Sequence, residues 1–256
     1  MILPLASGVF APVAPGDRPA FWAVTGRLGG NSSGAFSSAN IASHVGDDQD
    51  CVDQNLEGLA QLVGMSRSHL ALMEPVHGKS IGAVAQAGVF ARVDALVSAS
   101  QGVGLVAMGA DCVPLVFYGS RGLSSPLVSA VHCGWKGLAV GIVTATILEL
   151  RRQGARDIQA VVGPAICGGC YSSHAQRRDL VRQSTVKEVS SAALQTPQGI
   201  DVRAGVMAEL ALQGIAPLVV GGCTYENPEE LFSYRREMVT GRQGVIVAMT
   251  EHQEES

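Results

Sequence analysis

The apolar residues of the chain recur with two different periods, and the longer period predicts helices. In residues 50–63 they stand three or four residues apart, which places them on one face of an α-helix that ends near Gly64. Residues 137–153 are long enough for four helical turns and end in two arginines, which suit the negative end of the helix dipole. Residues 201–213 resemble a further helix that ends at Gly214.

Short apolar runs bounded by Gly, Pro, Ser or Asp predict strands between and around these helices. They cover residues 21–25, 70–76, 95–97, 104–107, 113–118, 127–131, 158–162 and 245–249. Strands interleaved with helices define the α/β class, and several strands follow one another without room for a crossover helix, so antiparallel pairs are expected as well. No repeat or Pro/Ser-rich linker divides the chain. We therefore expect a single domain over residues 1–256, with mixed β-sheets layered with helices.

Composition narrows the function classes. Of the 256 residues 47% are hydrophobic and 16% charged, which excludes a disordered chain. Eighteen Lys and Arg against 22 Asp and Glu lack the basic excess of a nucleic-acid-binding protein, so no nucleic acid partner is expected. The N-terminus does not resemble a signal peptide, and no apolar run reaches the roughly 18 residues of a membrane span. We expect a cytoplasmic enzyme with no membrane contact and with its six cysteines as thiols, and the sequence identifies no protein partner.

Three potential ligands of a soft metal lie at or near the ends of predicted strands. They are His77 in Val-His-Gly, Cys112 in Ala-Asp-Cys-Val-Pro and His132 in Val-His-Cys-Gly-Trp-Lys-Gly. Zinc accepts imidazole nitrogen and thiolate sulfur, and a site with three protein ligands keeps a fourth coordination position open, as catalytic zinc sites do. The wide spacing forms no compact motif, so metal chemistry alone leaves open that each residue has an ordinary structural role.

The motifs around these residues change that interpretation, because together they resemble the YfiH-like, laccase-domain family of purine nucleoside enzymes, also called peptidoglycan-editing-factor-like proteins. The resemblance covers nearly the whole chain and includes Thr25-Gly-Arg-Leu-Gly-Gly, Asn40-Ile, Val93-Asp-Ala-Leu-Val, Gly163-Pro-Ala-Ile, Cys223-Thr and Phe232-Ser-Tyr-Arg-Arg in addition to the three ligand motifs. It implies that His77, Cys112 and His132 bind the catalytic metal, with zinc as the expected ion and copper as the alternative.

The resemblance also implies two reactions. One is phosphorolysis of adenosine, inosine or 5′-methylthioadenosine by inorganic phosphate, and the other is hydrolytic deamination of adenosine to inosine. Asp111 is a candidate to orient an imidazole or transfer a proton. Arg27, Asn40 and Lys136 are candidates to bind substrate or phosphate, since guanidinium and ammonium groups beside glycine-rich loops suit an anion.

The chain departs from the family pattern at Pro75, where the family has Gln, and at Leu56, where it commonly has Arg. These departures concern substrate preference and the surroundings of the metal, not the ligands. Cys167 and Cys170 form a Cys-Gly-Gly-Cys sequence that is typical of a redox pair or half a zinc site, but no second pair of this kind completes it. Cys133 is expected to pack in the interior, because it points away from His132 if the backbone is extended.

Other functions remain open on the sequence alone. A His/Cys/His set also suits copper, so a laccase-like polyphenol oxidase is an alternative, although six histidines are few for a multicopper enzyme. Two further alternatives are a metal-dependent hydrolase that edits peptidoglycan precursors and a cysteine hydrolase with Cys112 as nucleophile and a histidine as base.

Overall fold

A computed structural model describes residues 1–122 and 124–250. The strands of this part of the chain form two six-stranded sheets. Its strands are β1 (Pro4–Phe10), β2 (Ala20–Thr25), β3 (Leu70–Glu74), β4 (Ile81–Ala83), β5 (Gly88–Ala91), β6 (Ala95–Ser98), β7 (Gly104–Gly109), β8 (Val113–Ser120), β9 (Leu127–Cys133), β10 (Arg156–Val162), β11 (Leu218–Val219) and β12 (Gln243–Ala248). Its α-helices are α1 (Gln49–Gln61), α2 (Trp135–Val140), α3 (Ile142–Arg152), α4 (Ala175–Ser184), α5 (Lys187–Ala193), α6 (Val202–Leu212) and α7 (Tyr234–Glu237).

Both sheets combine parallel and antiparallel pairs. The first sheet has the strand order β1-β2-β12-β7-β3-β5, and the second has the order β11-β10-β8-β9-β6-β4. Strand β3 runs parallel to β5 and β7, β4 runs parallel to β6, and β10 runs parallel to β11, while the other neighbours are antiparallel. The expectation of an α/β fold with mixed sheets is therefore confirmed.

The alternation of side chains along β7 shows how the layers stack. Leu105 and Ala107 point to one face and pack in a core that also contains Val116 of β8 and Ala130 of β9, so the two sheets face each other. Val106 points to the opposite face and packs with the apolar side of α1. On the far side of the second sheet, helices α2 to α6 cover a third core. The protein thus has four layers, in the order helix, sheet, sheet, helices.

The helix predicted over residues 137–153 is broken, and this corrects the sequence prediction. Gly141 has a φ of 74°, in the left-handed region that a glycine adopts without strain, and it ends α2 and precedes α3. The strands β1, β4, β5 and β11 and the helices α4 and α5 were not predicted, because they are short, exposed or polar and lack a clear apolar period. Within the described residues, no helix has the length and apolar character that crossing a bilayer requires.

The register of the second sheet brings separate sequence motifs to one edge. Val113 at the start of β8 is opposite Cys133 at the end of β9, and Ala95 at the start of β6 is opposite Val131. The residues just before β6 and β8 therefore lie beside the end of β9. The chain that leaves β3 in the first sheet reaches the same edge.

Candidate metal centre

His77 lies on the loop after β3, and its backbone is held by a buried carboxylate. Its φ of 59° is in the left-handed region, which few residues other than glycine adopt. This conformation directs the N–H groups of His77 and Gly78 to Asp94, which accepts them at 2.7 Å on Oδ1 and 2.8 Å on Oδ2. Asp94 is fully buried just before β6. The hydrogen bonds to Asp94 offset the backbone strain and fix the direction of the imidazole.

The three predicted ligands converge at this edge. His132 is the buried penultimate residue of β9, and Cys112 lies half-buried in the turn between β7 and β8. The Cys112 Sγ atom is 3.9 Å from His77 Nε2, and the two imidazole rings lie edge to face with centroids 4.8 Å apart. One donor atom of each residue lies within 4.8 Å of the other two. We call these three residues the His/Cys cluster.

Asp94 also orients the second imidazole. Its Oδ1 atom is 3.5 Å from His132 Nδ1, an ion-pair distance that is too long for a strong hydrogen bond. The buried Nδ1 atom has no hydrogen-bond partner among the described residues. Because Nδ1 faces the carboxylate, the Nε2 atom is free to face the other two donors. A carboxylate behind a ligating histidine is the usual way to fix the ring and raise its basicity.

The side chains of the cluster shift one another's pKa values. Burial alone would raise the pKa of the Cys112 thiol, but the charge and hydrogen bonds of His132 and His77 outweigh it and lower this pKa to about 6. Burial would lower the pKa of His132, yet the Cys112 thiolate and Asp94 raise it to about 9. At neutral pH the thiol is therefore ionised and faces an imidazolium. Binding a cation requires the loss of one proton from His132.

Gly134 shows how closely the donors are packed. A Cβ atom at this position would lie 2.8 Å from His77 Cδ2 and 3.0 Å from Cys112 Sγ, so no side chain fits between α2 and the cluster. Two imidazoles and one ionised thiol, kept close by a residue without a side chain, form a donor set that suits zinc or copper. The residues present fit a metal ion.

Asp111 does not reach either imidazole. It lies next to Cys112 with a φ of 101°, and its Oδ1 atom accepts hydrogen bonds from the hydroxyls of Thr224 and Ser233, each at 2.7 Å. Its Oδ2 atom accepts from the N–H of Arg235 at 2.6 Å. The carboxylate thus ties distant loops to the Cys112 turn, while Asp94 is the carboxylate that faces an imidazole. The expected part of Asp111 in orienting a ligand or transferring a proton stays a prediction.

The structure does not bring Arg27 or Asn40 to the cluster. The Arg27 guanidinium contacts the Glu237 carboxylate at 3.1 Å and donates to the carbonyl oxygens of Ser37 and Pro228. Asn40 is fully buried, donates to the Asp47 carboxylate and accepts the N–H of Arg242 on its Oδ1 atom at 2.9 Å. Both residues hold loops together, and their direct part in binding substrate or phosphate stays a prediction.

Lys136 lies at the start of α2 but faces outward. Its side chain is exposed, and its Nζ atom lies 5.8 Å from the centre of the Trp135 ring. It does not line a described cavity beside the cluster. Cys133 is fully buried in the core under the helices, as expected.

Two cavities meet at the His/Cys cluster. The first has a volume of about 250 Å³ and the second about 480 Å³. They share four wall residues, His77, Ala110, Cys112 and Tyr234. The first cavity is also lined by Asp111, Gly134, Trp135, Ile166, Tyr171, Arg177, Val202 and Arg235, and the second by His44, Glu74, Pro75, Met108, Gly109, His132 and Arg242. A molecule in either cavity therefore contacts the cluster.

Several residues in and around the site were not assigned from the sequence. Asp94 belongs to the Val93-Asp-Ala-Leu-Val motif, so a signal for it existed, but its role depends on the backbone conformation of His77. Arg177 and Tyr171 lie in a segment without an apolar period. Leu56 is buried in the core beneath α1, and Pro75 lines the second cavity, which locates both departures from the family pattern.

Comparison with known proteins gives the class to which this fold and site belong. Residues 21–250 match the family described as multi-copper polyphenol oxidoreductase laccase. A protein of Corynebacterium glutamicum named as a purine nucleoside phosphorylase is 33% identical over 241 residues, which cover 91% of this chain and 96% of that protein. The chain belongs to this laccase-domain family, and the resemblance stated from the motifs is confirmed.

Two solved structures show the same fold. The crystal structure of the hypothetical protein YfiH from Bacillus licheniformis has a TM-score of 0.82 and 26% identity, covering 90% of this chain and 92% of that one. YlmD from Geobacillus stearothermophilus has a TM-score of 0.81 and 30% identity, covering 91% of this chain and 92% of the other. The YfiH-like architecture is therefore shared over most of the chain.

Proposed function

We propose that this protein is a zinc-dependent purine nucleoside phosphorylase that also deaminates adenosine, with His77, Cys112 and His132 holding the zinc ion. The observation that carries the proposal is that two of the three candidate ligands, His77 and Cys112, lie in the wall shared by two cavities, and the third, His132, lines the second cavity. Two reactants can then meet at one ion. The Corynebacterium glutamicum relative, named for this activity, supports the choice of a nucleoside and inorganic phosphate as those reactants.

Arginine side chains make the first cavity the better phosphate site. Arg177 lies 5.3 Å over the Trp135 ring, and Arg235 lies 4.7 Å over the Tyr171 ring. The two guanidinium charges outnumber the single negative charge of the Asp111 carboxylate, which accepts hydrogen bonds from Thr224, Ser233 and the Arg235 amide, so these three charged side chains are positive on balance. Planar guanidinium groups match the oxygens of phosphate.

The second cavity has the size and mixed polarity for the nucleoside. It is the larger of the two, and it presents Glu74 and Arg242 with an apolar wall at Pro75 and Met108. Burial and the nearby Arg242 charge lower the pKa of His44, so this imidazole is neutral at neutral pH and can accept or donate a hydrogen bond. Glu74 can accept from ribose hydroxyls or the exocyclic amine. Asn40 supports this wall indirectly through the Arg242 backbone.

The protein side chains position the reactants at the cluster. When bound, zinc supplies Lewis-acid chemistry, polarising a reacting group or lowering the pKa of a water molecule. Asp94 keeps the His132 ring oriented and the His77 loop in place, and Gly134 leaves the space that the donors need. Arg177 and Arg235 hold phosphate on one side, while the second-cavity residues hold the nucleoside on the other.

Polyphenol oxidation is the second candidate, because the matching family carries that description. The donor set suits copper, but a multicopper reaction needs several ions bound mainly by histidine. Of six histidines, two belong to the His/Cys cluster, and the other possible metal site among the described residues contains cysteines and a glutamate. These observations favour the nucleoside reaction.

The decisive experiment combines metal analysis with product analysis. The purified protein is assayed for zinc and copper, then incubated with adenosine with and without phosphate, and adenine, inosine, hypoxanthine and ribose 1-phosphate are separated. We expect zinc, phosphate-dependent adenine and ribose 1-phosphate, and phosphate-independent inosine. Turnover of a phenol with copper, and none of adenosine with zinc, would overturn the proposal.

An arginine and a lysine near the cluster provide a matched test of the phosphate site. We expect Arg177→Ala to raise the KM for phosphate about tenfold or more, because a charged hydrogen bond contributes about 1.5–3 kcal/mol. Deamination should change less, since it needs no phosphate. Lys136→Ala removes an equal charge from the outer face of α2 and should leave both reactions within about twofold. Equal effects of the two substitutions would refute the assignment.

A further inference from the structure

A second group of metal-ligating side chains lies outside the His/Cys cluster. Sγ atoms of Cys167, Cys170 and Cys223 and a carboxylate oxygen of Glu226 all lie within 4.8 Å of one another. The Cys170 Sγ atom is 3.4 Å from Glu226 Oε1, and the Cys167 Sγ atom is 4.0 Å from the same oxygen. We call these four residues the cysteine cluster. Three of the molecule's six cysteines thus meet at one point, although Cys223 is far from the other two in sequence.

We propose that the cysteine cluster is a structural zinc site, in which three thiolates and the Glu226 carboxylate complete a closed tetrahedron. Zinc–sulfur bonds of about 2.3 Å place the ligand atoms of such a site about 3.8 Å apart. The observed separations require only a small contraction to reach that geometry. This site is independent of the nucleoside activity proposed above.

The surroundings of Cys223 fit a thiolate that binds a metal. This residue is 5% exposed, and its sulfur accepts the N–H of Cys167 at 3.3 Å. An amide directed at a sulfur atom stabilises negative charge there, and hydrogen bonds of this kind hold the ligands of metal sites in place.

A bound metal would supply the cluster with a positive charge. Glu226 is exposed and forms no ion pair among the described residues, and one of its carboxylate oxygens lies within 4.8 Å of the three sulfur atoms. A divalent cation would displace the protons of the three thiols and balance two of the four resulting negative charges. Zinc accepts sulfur and carboxylate oxygen together, whereas copper(I) favours sulfur alone.

The position of the cluster gives the ion a structural task. Cys167 and Cys170 lie in the loop after β10, and Cys223 and Glu226 lie in the loop after β11, with Ala165 and Cys223 forming a parallel bridge. One ion bound by ligands from both loops would cross-link them. The same loops reach the first cavity, because Ile166 donates its N–H to the Asp111 carbonyl oxygen and Tyr171 lines the wall.

The alternative for two cysteines in Cys-Gly-Gly-Cys is a redox disulfide. All six cysteines are thiols in the structure. A Cys167–Cys170 bond would use two of the four side chains and leave the Cys223 thiol and Glu226 without a part in the site. Metal binding uses all four side chains, and this is the reason to prefer it.

Metal stoichiometry in two variants separates the sites. Cys112→Ser removes a ligand of the His/Cys cluster only, and the double substitution C167S/C170S removes two ligands of the cysteine cluster only. We expect Cys112→Ser, purified with reductant, to retain one zinc per chain. After exchange for cobalt, this variant should show the visible bands of tetrahedral cobalt and charge-transfer absorption from three thiolates. C167S/C170S should lose the three-thiolate absorption and keep only the weaker absorption from the single Cys112 thiolate.

Two further measurements keep the proposal testable if C167S/C170S folds poorly. Glu226→Gln keeps all three sulfurs and should weaken zinc binding at least about tenfold in a competition with a chelator. The mass of the unreduced wild-type protein should show no loss of two hydrogens. A Cys112→Ser protein that folds but binds no zinc or cobalt, or a Cys167–Cys170 disulfide in the freshly purified chain, would overturn the proposal.

Discussion

The His/Cys cluster and the cysteine cluster both border the segment around Asp111, yet their electrostatic environments differ. In the His/Cys cluster, imidazoles lower the pKa of Cys112 to about 6 despite burial. In the cysteine cluster, burial raises the pKa of Cys170 and of Cys223, and neighbouring thiols and Glu226 add to the effect on Cys170. One cluster is ionised before metal arrives and opens onto two cavities, while the other becomes ionised only with metal and offers four ligands. The difference matches a reactive site in the first case and a structural site in the second.

The largest expected effect is the difference in activity between one substitution in each cluster. Cys112→Ser should lower kcat/KM for phosphorolysis by at least about a thousandfold, because the Lewis acid contributes several kcal/mol to the transition state. Cys170→Ser should reduce activity by no more than about tenfold, since its side chain acts only through neighbouring residues. Steady-state kinetics with adenosine and phosphate measure both values.

The stability effects should be reversed. Losing an ion bound at a few hundred times its Kd removes about 3 kcal/mol, which lowers the Tm of a chain of this length by roughly 6–12 °C. We expect that decrease for Cys170→Ser by calorimetry, with metal present. The decrease for Cys112→Ser should be smaller, because the ion of the His/Cys cluster has three protein ligands and that of the cysteine cluster has four. The same decrease in both variants would show that the two ions stabilise the fold equally.

Removing the charge of Asp94 should have an intermediate effect on the His/Cys cluster. Asp94→Asn keeps a side chain of similar size but loses the negative charge beside His132 and the second acceptor for the His77 loop. Metal affinity of this cluster should fall about 10–100-fold, as it does when a carboxylate behind a ligating histidine is lost. A competition with a fluorescent chelator measures it. The cysteine cluster of the same variant is the internal control, and its affinity should not change.

The smallest effect is a difference in the protons released on metal binding. Between pH of about 6 and about 9, the pKa values of Cys112 and His132 leave one proton, on His132, to be displaced, so affinity should rise about tenfold per pH unit. Below about 6 the thiol is protonated as well and the rise becomes steeper. The raised pKa values of Cys170 and Cys223 mean that at least two protons leave the cysteine cluster near neutral pH. Calorimetry in buffers of different ionisation enthalpy, on Cys170→Ser and Cys112→Ser, gives each number.

The sequence was sufficient for the fold class and for the meeting of His77, Cys112 and His132, because each lies in a recognisable motif at or near a strand end. Their role as metal ligands stays a prediction. The sequence was not sufficient for Asp94, whose carboxylate matters only because the His77 backbone turns its N–H toward it. The sequence places Arg27 in a glycine-rich loop, but it does not show that the Arg27 guanidinium forms an ion pair with Glu237, which lies near the other end of the chain.

The cysteine cluster is a second feature that the sequence alone predicts only in part. A single Cys-Gly-Gly-Cys predicts half a site, and its completion by Cys223 and Glu226 depends on the pairing of β10 with β11. That pairing involves a two-residue strand with exposed side chains, which gives no periodic signal. Contacts between distant loops can be expected only after the sheet order is known.

The close approach at Gly134 links the His/Cys cluster to the interior of the protein. The Gly134 carbonyl oxygen accepts the N–H of Leu138, whose side chain is fully buried, so the first turn of α2 touches the cluster at one end and the core at the other. Hydrogen exchange at the Leu138 amide should therefore slow when the cluster is filled. This amide would report occupancy in the absence of any substrate, and it would do so at equilibrium.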